Sequence, residues 1–275
     1  MASTGRGEKI THAAERAAES RGFRNAARMG YVASGLLHVL IGVIALRIDF
    51  GGSGNADSSG AVAELGSKPG GLILLWVCLL GCICLALFQL SRIVFDARTR
   101  QGRDAWRIRG SAAGQAIVYA AVGASFGAFA LGSGSNSGQS SASWSARLLA
   151  QPSGQLLLGA VGLGIFAAGG YFVFKGASRR FRRDLEPVPP GGWERAVTIT
   201  GTAGFIAKGV SLAILGILVV AAAATASPEQ STGLDGALRT LREQPLGWLS
   251  LALVGAGLIC YGLYTGILRA RFAKL

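Results

Sequence analysis

Six stretches of this chain are apolar almost without interruption, and polar segments separate them. They cover approximately residues 30–48, 71–90, 111–131, 154–174, 198–222 and 246–268. Each approaches the roughly 20 residues needed to cross a hydrocarbon core of about 30 Å. None alternates with period two, as a barrel strand would, so the pattern predicts helices. The fold class that follows is an all-α membrane protein with six transmembrane helices. Residues 1–25 are polar and Ala-rich, too long and too charged for the start of a signal peptide, and read as a retained tail.

Composition agrees, with 51% hydrophobic and only 15% charged residues. Soluble domains are about a quarter charged. The net charge of +13 could suggest a nucleic-acid partner. The basic residues, however, lie between apolar runs, not on one domain face, so they read as a topology signal and not as a nucleic-acid surface. Arg6, Lys9, Arg16, Arg21, Arg24 and Arg28 precede the first span. Arg92, Arg98, Arg100, Arg103, Arg107 and Arg109 fill the second connection, and Lys175, Arg179, Arg180, Arg182, Arg183 and Arg195 the fourth. Arg269, Arg271 and Lys274 end the chain. The opposite side has Arg47, Lys68, Arg147, Arg239 and Arg242, a bias of 21 against 5. The positive-inside rule then places both termini in the cytoplasm and the protein in the cytoplasmic (plasma) membrane.

The outer connections are Gly/Ser-rich and read as flexible, each followed by a short helical segment. In the last, Leu234, Leu238 and Leu241 recur at helical spacing, which predicts an amphipathic helix on the outer membrane surface. A proline follows each segment, and Pro69, Pro152 and Pro245 reveal a repeat. Two residues on stand Gly71, Gly154 and Gly247; twelve on, Gly81, Gly164 and Gly257; nineteen on, Phe88, Tyr171 and Tyr264. The ascending helices align through Gly42, Gly123 and Gly216, preceded by Gly35, Ala116 and Gly209. One two-helix unit is therefore used three times, over residues 26–98, 107–181 and 198–272. All copies run the same way, which predicts parallel repeats in a pseudo-threefold arrangement. The glycine columns, with the GxxxG pairs Gly110/Gly114 and Gly123/Gly127, read as helix-packing surfaces, because helices in lipid rely on close backbone approach.

With its small-x-Gly starts (Ala33-Ser34-Gly35, Ala207-Lys208-Gly209) and its Gln-Pro steps (Gln151-Pro152, Gln244-Pro245), the thrice-repeated unit resembles a bacterial, mainly actinobacterial, membrane family. That family is domain of unknown function 1206. The resemblance spans about residues 26–272. It implies three tandem two-helix repeats and carries no activity. The second copy departs from it, with Gln115-Ala116 where the third has Lys208-Gly209.

No catalytic or cofactor motif is present. His38 is the only histidine within a span, and no Asp or Glu occupies the core of any, so no triad or carboxylate pair can assemble at depth. Cys78, Cys82, Cys84 and Cys260 lie in apolar runs without His or acidic neighbours, and read as small buried hydrophobes rather than metal ligands. Gly162-Leu163-Gly164 lacks the remainder of a nucleotide fingerprint. The expected partners are membrane lipids and another membrane protein, with Arg179, Arg180, Arg182 and Arg183 as headgroup contacts.

Two functions remain open from sequence. One is a non-enzymatic structural or accessory membrane protein acting through helix and lipid contacts. The other is a small-solute channel or carrier along the pseudo-threefold axis. A dry, closed axis favours the first and a polar cavity the second. Repeat alignment sets Ser34, Gln115 and Lys208 in one column, four residues before His38, Tyr119 and Leu212, which predicts stacked polar layers. At 1.5 Å per residue the first lies about 9 Å inside the membrane edge. One reading has Lys208 snorkel to the interface. The other turns it inward, within reach of Gln115 or backbone carbonyls, at the mouth of an anion-attracting or headgroup-binding pocket.

Overall fold

The computed structural model describes residues 21–94, 103–134, 136–151, 153–231 and 233–273. Residues 1–20 of the polar tail, Pro152 of the proline column, and Arg98, Arg100 and Lys274 lie outside them. The described residues form six long helices: α1 (Arg21–Asp49), α3 (Gly71–Val94), α4 (Arg103–Ala130), α6 (Gly154–Ala177), α7 (Gly192–Ala224) and α9 (Gly247–Leu263). A π-helical segment, Tyr264–Arg269, and a last turn, Ala270–Phe272, continue α9. All six are long and apolar enough to cross a membrane, so the chain is a multi-pass, all-α membrane protein.

The ascending helices α1, α4 and α7 are joined to the descending helices α3, α6 and α9 by short helices. These are α2 (Ser58–Gly66), α5 (Ser137–Leu149) and α8 (Gly233–Arg242), and they form a cap at one end of the bundle. The turn from each short helix into its descending helix brings backbone against backbone. A Cβ on Gly71, Gly154 or Gly247 would collide with the carbonyl of Leu65, Leu148 or Arg242 respectively, which explains the glycine two residues after each proline.

The cap is knitted by specific bonds and is not a set of free linkers. Asp57 Oδ1 accepts from Gly60 N at 2.8 Å and from Ser59 Oγ at 2.6 Å, capping α2. Ser59 Oγ in turn accepts from Ser137 N at 3.0 Å. Asp235 Oδ1 accepts from Ala56 N at 2.7 Å, and Arg239 donates to Gly54 O at 2.6 Å. The apolar face of α8 is consumed inside the protein: Leu238 is buried in the main core, with Leu234 and Leu241 packed against it. The expectation of a helix lying on the membrane surface is thus corrected. The leucine spacing was amphipathic because one face meets the bundle.

Across the bundle the long helices lie in the order α4, α3, α1, α9, α7, α6. The most extensive interfaces are α6 with α7, α3 with α4 and α9 with α1, each joining the descending helix of one repeat to the ascending helix of the next. Within repeats, α1 packs on α3 and α7 on α9, but among the described residues no comparable interface joins α4 and α6. Among the described residues the long helices form an open arc, and the pseudo-threefold arrangement expected from the repeats is not confirmed. The strut between α4 and α6 offers a reason: α5 has 13 residues, against 9 for α2 and 10 for α8. At 1.5 Å per residue it is about 5 Å longer and holds its two helices further apart.

Candidate functional site

The joint of the arc, where α1 and α7 both pack on α9, holds a polar cluster of Lys208, His38 and Tyr261. Lys208 on α7 turns inward and does not point into lipid. Its Nζ lies 3.2 Å from His38 Nε2 on α1 and 3.2 Å from the Tyr261 hydroxyl on α9. It also sits 4.3 Å above the Tyr261 ring and 5.2 Å from the Phe172 ring of α6, so aromatic faces supply part of the stabilisation that water would give. His38 Nδ1 is 2.7 Å from the Ser34 carbonyl. A carbonyl only accepts, so Nδ1 carries the proton and Nε2 presents a lone pair to the ammonium.

Nearer the end of the bundle where both described termini lie, Arg269 completes the π-helical segment. Its guanidinium lies 4.6 Å above the Tyr31 ring. The phenols of Tyr31, Tyr119, Tyr261 and Tyr264 are all within electrostatic range of it. The Arg269 Nε and the Tyr264 hydroxyl are buried and make no hydrogen bond. A π-helical turn widens the helix and often marks a functional position. Here it lies where Gly266 approaches Gly35 of α1. Among the described residues no carboxylate pairs with Lys208 or Arg269; Asp184, within electrostatic range of Tyr264, is bonded to Lys175 at 2.7 Å.

Below this joint an aromatic cluster closes the terminal end. Phe205 stacks on Phe181 and Phe172 at 5.3 and 5.8 Å and meets Tyr261 and Tyr264 edge-on at 5.2 and 5.5 Å. Phe181 is fully buried, which pins the basic turn Arg180–Asp184 against the bundle while Arg179, Arg180, Arg182 and Arg183 face outward. Arg182 donates to Glu194 at 2.6 Å, and Arg180 lies 4.6 Å over Phe174. The connection after this turn is tied to the end of the last helix, with Glu186 N donating to Phe272 O at 2.7 Å and Leu185 bridging Ala273.

The polar column from the repeat alignment is dispersed. Gln115 bonds Ser111 of its own helix through Nε2, at 3.1 Å to the hydroxyl and 3.3 Å to the carbonyl, so it does not reach Lys208. Ser34 contributes its carbonyl through His38. Tyr119 packs with Tyr31, Leu85, Ala270 and Ala273. The stacked layers are replaced by a cluster that draws Tyr261, Tyr264 and Arg269 from a descending helix. Sequence reasoning had counted Arg269 only as a topology charge. Its position eight residues after Tyr261, on the same strip of helix, was the available signal.

The glycines divide similarly. A Cβ on Gly42 would lie 2.6 Å from Gly255 O, and one on Gly216 would lie 2.5 Å from Phe166 N. Gly123 is looser, 3.1 Å from Cys82 Cβ. Gly81 meets Gly30, and Gly257 meets Ala207. Gly164 is corrected: it faces open space, as do Gly110 and Gly114, because the helix that would cover it stands away. Gly162 and Gly169, instead, form the α6 side of the seam with α7.

Comparison with known proteins matches residues 29–96, 110–179 and 203–273 to the family described as Domain of Unknown Function (DUF1206), one match per repeat. A Bacillus subtilis (strain 168) protein described as "Uncharacterized protein YxxB" is 33% identical over 239 residues, 86% of this chain and 86% of the relative. No solved structure matches. Neither description carries an activity.

Proposed function

This chain belongs to the Domain of Unknown Function 1206 family, and we propose that it is a non-enzymatic structural or accessory protein of the cytoplasmic membrane, acting through helix and lipid contacts. The observation that carries this reading is the open flank of the arc. The outward faces of α4 and α6 display Ile117, Val118, Leu156, Leu157, Leu163 and Phe166, large apolar side chains suited to lipid or to a membrane-protein partner. The exposed arginines Arg179, Arg180, Arg182 and Arg183 support it, because a basic turn at the membrane edge attracts anionic headgroups by about 1 kcal/mol per residue. Both termini lie in the cytoplasm on this reading, and the helical cap faces outward.

Solute flux in reconstituted vesicles tests it. Vesicles containing the protein are expected to be no leakier than empty ones; selective, saturable flux would overturn the reading in favour of a channel or carrier. Orientation has its own test in a chain lacking native cysteines. Ser133→Cys should react with an impermeant thiol reagent in intact cells and Arg180→Cys should not, and the reverse pattern would invert the topology.

A further inference from the structure

Among the described residues, the interior cations Lys208 and Arg269 have no carboxylate paired with either of them. An ammonium has three donors, and Lys208 uses two, on His38 Nε2 and the Tyr261 hydroxyl. A guanidinium has five, yet Arg269 rests on an aromatic ring with its Nε buried and unbonded. The Tyr264 hydroxyl, on a residue 1% exposed, is also unbonded. Buried charges are ordinarily paired, and buried donors ordinarily bonded. An aromatic face stabilises a cation but leaves its N–H groups unused. Two unused donors and an unbalanced charge therefore converge on one segment of α9, beside a second cation about 10 Å deeper, the rise of two helical turns. What completes such a site is an acceptor that brings negative charge with it.

We propose that Arg269 and the Tyr264 hydroxyl bind a phosphate-type oxyanion, and that Lys208, held by His38 and Tyr261, adds its charge from the deeper layer. Arg favours this ligand because its planar fork matches the oxygens of a phosphate. Tyr119 of α4 packs beside Tyr31 and Ala270, and Phe172 of α6 lies beside Lys208, so residues from both ends of the arc border the site. The oxyanion belongs to an anionic lipid headgroup or is free phosphate. The inference rests on the lipid-contacting reading above, but its failure is separable: flux would refute that reading while leaving ligand retention unchanged.

The test uses the full chain in detergent, equilibrated with equal phosphatidylglycerol and phosphatidylcholine, with retained lipid measured by native mass spectrometry. The protein should retain phosphatidylglycerol in preference. Arg269→Gln should lose that preference about tenfold, the cost of one charge-assisted hydrogen bond, and Lys208→Met should lose less. Arg147→Gln, on α5 in the cap at the opposite end of the bundle, should lose nothing. Added inorganic phosphate divides the two sources: displacement of the lipid, or phosphate-dependent stabilisation without lipid, identifies a free oxyanion, and retention despite phosphate identifies a headgroup. Equal retention of both lipids without any phosphate stabilisation would overturn the proposal, as would Arg269→Gln behaving like the parent. If Arg269→Gln does not fold, Tyr264→Phe replaces it. That variant removes an oxygen with no hydrogen-bond partner among the described residues, so it should weaken retention without lowering thermal stability, and unchanged retention would overturn the proposal.

Discussion

The second and third repeats are built from the same parts but pack differently. In the third, Gly257 of α9 lies against Ala207 of α7, and the two helices close on each other. The equivalent residues of the second, Gly164 of α6 and Gly114 of α4, both face open space. A small residue permits close approach but does not enforce it, since lipid covers an apolar face about as well as another helix does. In the second repeat, α4 and α6 stand apart and are joined through α5, the longest of the three connecting helices. The seams between repeats show the contrary case. Gly162 and Gly169 on α6 and Gly255 and Gly262 on α9 all meet backbone of the following ascending helix, whatever happens within the repeat.

The largest expected effect that separates the two repeats is all-or-none. In a chain without native cysteines, Ala207→Cys with Gly257→Cys should form a disulfide under mild oxidation, while Gly114→Cys with Gly164→Cys should not. A disulfide in the second pair would show the arc closing in the membrane and erase the contrast. Next in size is overpacking. Gly216→Leu drives a side chain into the Phe166 and Gly162 backbone and should destabilise by about 3 kcal/mol, whereas Gly164→Leu should change thermal stability in detergent by less than about 0.5 kcal/mol.

The cap offers two smaller tests. Asp235→Ala removes the acceptor for Ala56 N and the partner of Arg239, and should cost about 1–2 kcal/mol; no loss of stability would mean the cap does not hold the arc together. The smallest effect concerns Glu64. The hydrogen bond and charge of Lys68, 3.1 Å away, together with the charge of Arg47, hold its carboxyl below the usual glutamate range. A depressed carboxylate stabilises the fold above its unfolded pKa, and the contribution is lost as pH falls through the lower folded value. Stability of the parent should therefore drop slightly more than that of Glu64→Gln as pH passes below the glutamate range. Equal acid sensitivity would show that the pair contributes nothing, as many exposed ion pairs do.

Much of the architecture was legible in one dimension. The six spans are recorded in hydropathy because the bilayer demands uninterrupted apolar length and internal hydrogen bonding. The repeat is recorded in the proline and glycine columns because each copy makes the same tight turn. The candidate site was half legible. Lys208 and His38 stood out as polar residues in apolar runs, but Tyr261, Tyr264 and Arg269 looked like interface residues at the end of a span. The aromatic column illustrates why: Tyr264 is 1% exposed and Tyr171 is 56% exposed, although they are equivalent in the repeat.

The order of side chains along the chain was enough to define which segments are helical, how long they are, that they come in three copies, and where the chain must turn. These are local properties, set by side-chain solvation and by backbone sterics within a few residues. Which small residues become seams, that α4 and α6 stand apart, and that Lys208 bonds His38 and Tyr261 instead of its repeat-mate Gln115 emerge in three dimensions alone. Those outcomes depend on which helix lies beside which, and a uniformly apolar surface in an apolar solvent carries little information about its neighbour.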